Sequence, residues 1–349
     1  MNATYGDLCS SLVQVCGYFY GSLLDQRFSE IYSICCVNQS IIPLNERSSG
    51  QAEWQLLTMI VLSLLTPVGI LANTLILLTF YEFKNSRNAT SYFICNLAVS
   101  DILNILLMVI YVSTSGHNLF YYYVISACDI FVGSSCMLFV SALSIERGIA
   151  VSFPFRYRTH FNDQTTIRSS VGIWIYCLLM LVAGLLRLPI TLKLYSPLFF
   201  YVAVTLSFFI PCFLFVISYG SIIVSAIRNI RRDKKLKRET AAAICTDNLR
   251  KRSTQTTAKF REMKVAFNVA IISMLFVFGW GYFIGSQIYE MLSGLTLTGF
   301  PNWLIEFIPF IISCVNPLIY IMCTRSLKKN SQKLLSGWKT RIIRLLSFG

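Results

Sequence analysis

Seven stretches of the chain are apolar nearly from end to end, at roughly 54–81, 91–115, 120–149, 169–188, 197–228, 262–290 and 301–323. Each reaches the length of about 20 residues that a helix needs to cross a hydrocarbon core. The pattern predicts an all-α membrane protein, a seven-transmembrane helix bundle. Gly and Pro inside several stretches fit that reading, because membrane helices tolerate both. No internal repeat relates one half of the chain to the other, which argues against a transporter built from two related halves. Beyond the seventh stretch, residues 325–335 alternate apolar and basic positions and predict a short amphipathic helix lying on the membrane surface. Trp338, Ile342, Ile343, Leu345 and Leu346 extend its apolar contact. The expected organisation is an extracellular tail over 1–53, a membrane domain over 54–323 and a cytoplasmic tail over 324–349.

Composition sharpens this picture. Hydrophobic residues make up 55% of the chain and charged residues 13%, too little polar surface for a soluble domain, so lipid is the main solvent. A formal net charge of +14 would suit nucleic acid if it were spread over one surface, but it is not. Arg27, Arg47, Arg187 and Lys193 lie on one side of the predicted membrane, and the remaining 26 of 30 basic residues lie on the other. Thirteen of those fall within 228–264. Such asymmetry orients the chain with its N-terminus outside and its C-terminus inside. The positive collar then faces anionic lipid and partner proteins, and no nucleic acid is expected.

Sequons at Asn2 and Asn38 fall in the outer tail and are candidate glycosylation sites, whereas a third at Asn88 falls in an inner loop and is expected to be idle. Cys9, Cys16, Cys35 and Cys36 share the outer tail and allow two disulfides in three pairings. The other eight cysteines lie in apolar segments or inner loops, where a disulfide is not expected. No His/Cys spacing of the metal-binding kind occurs. Residues 8–24 lack the basic start and cleavage site of a signal peptide, so the first span is expected to act as the insertion signal. Neither HExxH nor GxSxG is present and no enzymatic activity is expected.

Polar residues inside membrane spans are costly and mark function. The first span carries Gly69-Ile70-Leu71-Ala72-Asn73, and the second carries Asn96-Leu97-Ala98-Val99-Ser100-Asp101. Glu146-Arg147-Gly148 ends the third, and Trp174 sits in the fourth. Pro211 and Tyr219 lie in the fifth, Phe276 and Trp280 in the sixth, and Asn316-Pro317-Leu318-Ile319-Tyr320 closes the seventh. Together these resemble the ordered signatures of the rhodopsin-like (class A) G-protein-coupled receptors over nearly the whole chain. The resemblance implies a plasma-membrane receptor that binds an extracellular small molecule or peptide and activates a heterotrimeric G protein. It also assigns switch roles to Glu146, Arg147, Phe276, Trp280, Pro211, Tyr219, Asn316, Pro317 and Tyr320. Glu262, at the start of the sixth span, matches the acidic partner of an ionic lock with Arg147. Asp101 matches a sodium site, with Asn73, Ser313 and Asn316 as further ligands and sodium as an allosteric modulator; the alternative is a protonated Asp101 bonded to neighbouring helices. No other cofactor is implied.

The chain departs from the family pattern in several places. Cys136 stands where the third span usually has serine, and Tyr282 stands where the sixth usually has proline. Gly279, Gly281 and Gly285 are then the local source of pliancy. Tyr122 occupies the position of the usual outer-loop disulfide cysteine, as in other relatives that lack that bridge. Asp129 lies 18 residues before Arg147, five helical turns, and so shares its inward face in the outer half of the third span. An inward carboxylate needs a cation, and the family's amine receptors meet that need with the ligand. Phe283, Ser207, Gln287 and Glu306 complete the expected ligand site: an aromatic wall, two hydrogen-bonding groups and a second negative charge suited to a diamine or a basic peptide. A small amine, a basic peptide and a lipid all remain open on these residues. No lysine occurs in the seventh span to bind retinal, which argues against an opsin.

Overall fold

The computed structural model describes residues 47–114, 119–187, 195–240, 270, 274–290, 292–293 and 300–347. Helix α1 spans Arg47–Glu82, α2 Ala89–Ser113 and α3 Leu119–Ser152. A seven-residue helix, Pro154–His160, leads into α4 at Asp163–Leu185. Helix α5 begins as Tyr195–Val204, widens into a π-helical turn at Thr205–Phe209 and continues as Ile210–Thr240. Helix α6 is described over 274–290, α7 spans Phe300–Cys323 and α8 spans Arg325–Ser347. Helices α1 to α5 and α7 are each long and apolar enough to cross a bilayer. No strand occurs among the described residues.

Burial sorts the helices. In their most apolar stretches α3 is 56% buried and α2 and α7 are each 50% buried, against 22% for each of α1, α4 and α5, so α3, α2 and α7 hold the centre of the bundle. Val132, Cys136, Met137, Phe139, Val140 and Leu143 of α3 pack into one core with Phe93 and Leu97 of α2, Phe208 of α5, Phe276 and Trp280 of α6 and Tyr320 of α7. The outward faces are apolar as well: Leu64 and Leu71 of α1, Leu179 of α4, and Phe213 and Val216 of α5 are all exposed. Side chains like these on every outer face are what a hydrocarbon solvent selects. The chain is a multi-pass membrane protein.

Local chemistry sets the helix ends and irregularities. Asn88 caps α2, its side chain accepting from the Ser91 amide at 2.9 Å, and Asn162 caps α4 in a capping box with Thr165. The π turn in α5 lies just before Pro211, whose ring blocks the bond to the Ser207 carbonyl; there the Ile210 amide reaches Thr205. Pro317 likewise frees the Ser313 carbonyl in α7, and Asn73 of α1 donates to that carbonyl at 3.1 Å. Helix α6 has no such interruption: it runs through Tyr282 as a regular helix, and the Tyr282 hydroxyl donates to the Pro301 carbonyl at 3.3 Å. Helix α8 is 23 residues long, longer than the short helix expected. Positions 334, 335, 338, 342, 345 and 346 keep the i, i+3, i+4 apolar spacing to its end.

The three glycines of α6 differ in what they face. A side chain at Gly279 would run into Ile312 and Ile308 of α7, whereas Gly285 faces open space. Gly279 is thus a packing position that lets α6 and α7 approach closely. Gly279→Val is expected to cost about 1–3 kcal/mol and to lower the melting temperature of detergent-purified protein by several degrees. Gly285→Val should melt close to wild type, and equal losses for the two variants would refute the close approach.

Candidate functional site

A column of buried polar groups runs along the inside of the bundle, beginning at the end that carries the basic loops. There Glu146 is fully buried and Arg147 is 7% exposed. They form the only ion pair among the described residues. Arg147 Nε donates to Glu146 Oε2 at 2.5 Å, and its Nη2 donates to Oε1 and to Thr90 Oγ1. Thr90 of α2 donates to both carboxylate oxygens at 3.1 and 3.2 Å, and Tyr157 of the loop helix donates to Oε1 at 2.6 Å. Burying the pair is tolerable because hydrogen bonds fill the carboxylate's remaining capacity. The sequence pointed to Glu146 and Arg147 but not to Thr90 or Tyr157, each a common polar residue near a helix end. Glu262 lies outside the described residues, as do Asn2, Asn38 and the four N-terminal cysteines.

Near the centre, Asp101 of α2 is 1% exposed. Cys136 of α3 donates to its Oδ1 at 3.9 Å and Asn316 of α7 to its Oδ2 at 3.3 Å. Asn73 touches the group indirectly, through the Ser313 carbonyl, and its own Oδ1 is buried without a hydrogen-bond partner. Asn104, one turn beyond Asp101, donates to Ser313 Oγ at 3.0 Å and to the Pro309 carbonyl at 3.2 Å. Sequence reading missed Asn104, although a polar residue three places from Asp101 on an apolar helix was a visible signal. No cluster of three His, Cys, Asp or Glu side chains occurs among the described residues.

The next layer is aromatic. Phe276 is fully buried and Trp280 is 5% exposed. The Trp280 indole lies against α3 at Gly133, where a Cβ would come within 2.6 Å of the ring. Only glycine leaves that space. Phe283 meets Trp280 edge to face at 5.7 Å. Toward the basic end, Tyr219 packs with Phe215 at 4.5 Å, and Tyr320 is buried in the main core.

Toward the opposite end the acidic groups are only partly buried. Asp129 of α3 is half-buried and makes no hydrogen bond or ion pair to any described residue. Gln287 of α6 is buried. Glu306 of α7 is half-buried and accepts one long bond, 3.4 Å, from Asn302. Tyr111 of α2 lies in the electrostatic field of both carboxylates. Ser207 differs from these: it accepts from Ser134 of α3 at 2.9 Å and shares a hydrogen bond of 2.8 Å with Tyr176 of α4. Its hydroxyl therefore braces the π turn of α5 against two neighbouring helices. Arg187, at the same end, donates to Ser126 at 2.8 Å and lies over the rings of Tyr123 and Phe199. It links the end of α4 to α3 and α5.

Known proteins match this architecture. Residues 72–320 match the family model described as 7 transmembrane receptor (rhodopsin family). The chain is 24% identical over 306 residues to the alpha-1A adrenergic receptor of Rattus norvegicus, covering 76% of this chain and 65% of that receptor. It is 25% identical over 295 residues to trace amine-associated receptor 7d of Mus musculus, covering 77% and 79%. To the cholecystokinin receptor of Xenopus laevis it is 22% identical over 354 residues, covering 82% and 78%. The chain thus spans slightly less than two thirds of the adrenergic relative's length. With the family model matching well over half of its residues, and with the polar column described above, this chain belongs to the rhodopsin family of seven-transmembrane receptors.

Proposed function

We propose that this receptor binds a small cationic amine at the Asp129 end of the column and activates a heterotrimeric G protein at the basic end. In this reading it sits in the plasma membrane with its N-terminus outside and its basic loops in the cytoplasm. The observation that carries the ligand assignment is the Asp129 carboxylate, half-buried and without a cation among the described residues. A carboxylate taken out of water needs a positive partner, and a ligand ammonium supplies one. Phe283 flanks the cation and Gln287 offers it a buried amide. Two of the relatives above are named as adrenergic and trace amine-associated receptors and a third as a cholecystokinin receptor, so the choice of an amine rests on Asp129 and not on the relatives.

On this proposal, Trp280 and Phe276 pass ligand contact down the column, and the Glu146–Arg147 pair is the element that opens for the G protein. Glu262, Pro211, Tyr219, Pro317 and Tyr320 keep the switch roles that the family resemblance implies. The donor set around Asp101 fits a small hard cation such as sodium: a carboxylate, the Ser313 hydroxyl, Asn316 and the unpartnered Asn73 Oδ1. Cys136 contributes sulfur and is the poor ligand of the group. Bound there, sodium would supply a counter-charge to Asp101. Asn2 and Asn38 are the proposed glycosylation sites.

The test is nucleotide exchange on a heterotrimer by the full chain in lipid nanodiscs, against a panel of biogenic amines and matched alcohols in which hydroxyl replaces the amine. Amines should stimulate exchange and their uncharged counterparts should not. A well-folded receptor that ignores every amine but answers to a basic peptide would overturn the ligand assignment.

A further inference from the structure

We infer that the ligand site holds two cationic centres at once, so that the preferred ligand is a small diamine bridging Asp129 and Glu306. This deepens the amine reading and rests on it. The geometry starts from the polar layer at mid-column. Cys136 of α3 donates to Asp101 of α2, and Asn104, one turn outward of Asp101, donates to Ser313 of α7, so the three helices meet here within about one turn of one another. Seven residues, two helical turns, lead from Cys136 to Asp129, from Asn104 to Tyr111 and from Ser313 to Glu306. Two turns return each helix to the same face at a rise of about 10 Å. Asp129, Tyr111 and Glu306 therefore lie within about one turn of one another along the bundle, outward of Cys136, Asn104 and Ser313 and on the same faces of their helices. The field of both carboxylates at Tyr111 agrees with that placement.

The charge balance of this region is unusual. Two acidic side chains from different helices face it, both half-buried. Neither is paired with a basic side chain among the described residues, where Glu146–Arg147 is the only ion pair. Arg187, a cation at that end of the bundle, is engaged with Ser126, the Gly184 carbonyl and two aromatic rings. One ammonium would neutralise one carboxylate and leave the other facing it. A ligand with an amine at each end neutralises both, and the fixed separation of α3 and α7 selects its length.

The probes are α,ω-diaminoalkanes of three to eight carbons and the n-alkylamine of each matching length. They are tested for nucleotide exchange and for a shift in melting temperature with the full chain in nanodiscs. One diamine length should exceed its monoamine by roughly 30-fold in potency, the gain expected from a second charge pair in a partly desolvated site. Glu306→Gln should collapse that ratio to within about threefold of one. Glu306→Asp, which keeps the charge on a shorter side chain, should restore the advantage at a longer diamine and guards against a merely misfolded variant. Monoamines that act through Asp129, with a diamine advantage absent or indifferent to Glu306→Gln, would overturn the two-centre site and leave the amine reading standing. Silence and an unmoved melting temperature for both series would overturn both.

Discussion

Asp129→Asn is expected to lower amine potency by about 100- to 1000-fold while the amount of receptor at the surface holds. Asparagine keeps the size and hydrogen-bonding capacity of the side chain and removes only its charge, so the loss measures the ion pair. Truncating one partner of a desolvated charge pair costs about 2–5 kcal/mol, and 2.7–4 kcal/mol corresponds to about 100- to 1000-fold in affinity. The site justifies the upper part of that range because no described residue competes for the carboxylate. Concentration–response curves for nucleotide exchange provide the measurement. Unaltered potency in the variant would remove Asp129 from the ligand site and leave it as a structural charge.

The second large effect is expected at the other end of the column. Glu146→Gln should raise ligand-independent nucleotide exchange about tenfold at equal surface level. In the structure Glu146 accepts from Thr90, Tyr157 and two nitrogens of Arg147, all in a buried setting. Removing one partner of a buried pair costs about 3–5 kcal/mol because the other charge is left uncompensated. Arg147 then gains by leaving its pocket, and any state in which it faces water or a partner protein is favoured. Only 1.4 kcal/mol of that cost needs to fall selectively on the resting state to shift the population about tenfold. Basal exchange no higher than wild type would mean that the pair does not hold the resting state. Tyr157→Phe, which removes one donor and no charge, should move in the same direction by less.

These effects lie at opposite ends of one connected column, and the connections are discrete contacts. Asp129 lies one turn from Gly133, which seats Trp280, and one further turn reaches Cys136 and Asp101. Asp101 meets Asn316 in the α7 segment whose carbonyl, freed by Pro317, is taken by Asn73. A rearrangement at Trp280 is therefore linked through Gly133, Cys136 and Asp101 to the α7 segment that ends in Tyr320.

Much of this was legible without coordinates, for a local reason. Whether a stretch of chain lies in lipid depends on the summed transfer free energy of about 20 neighbouring side chains, which sequence order alone supplies. The seven-span bundle and the amphipathic α8 were legible that way, and the 18-residue spacing put Asp129 and Arg147 on one helical face. The burial of Asp101, Glu146 and Arg147 was legible too, since each interrupts an apolar run. Helix α8 ran longer than expected because a weak apolar spacing is persuasive only once a membrane-facing surface exists for it to follow.

The tertiary structure decided the partners. Thr90 reaches Glu146 across 56 positions and Asn73 reaches Ser313 across 240; such pairings depend on how each helix is rotated and shifted along its neighbours, which no local pattern encodes. Ser207 is the clearest case. Its place on an inward face suggested a ligand hydroxyl, yet Ser134 and Tyr176 approach it from two helices and take up its hydrogen bonds. Gly133 reads as an ordinary small residue until the Trp280 ring is found where its Cβ would be. Burial in lipid is a property of each segment on its own, whereas a buried polar contact requires two segments to meet at one depth and one angle, and only the packed bundle sets both.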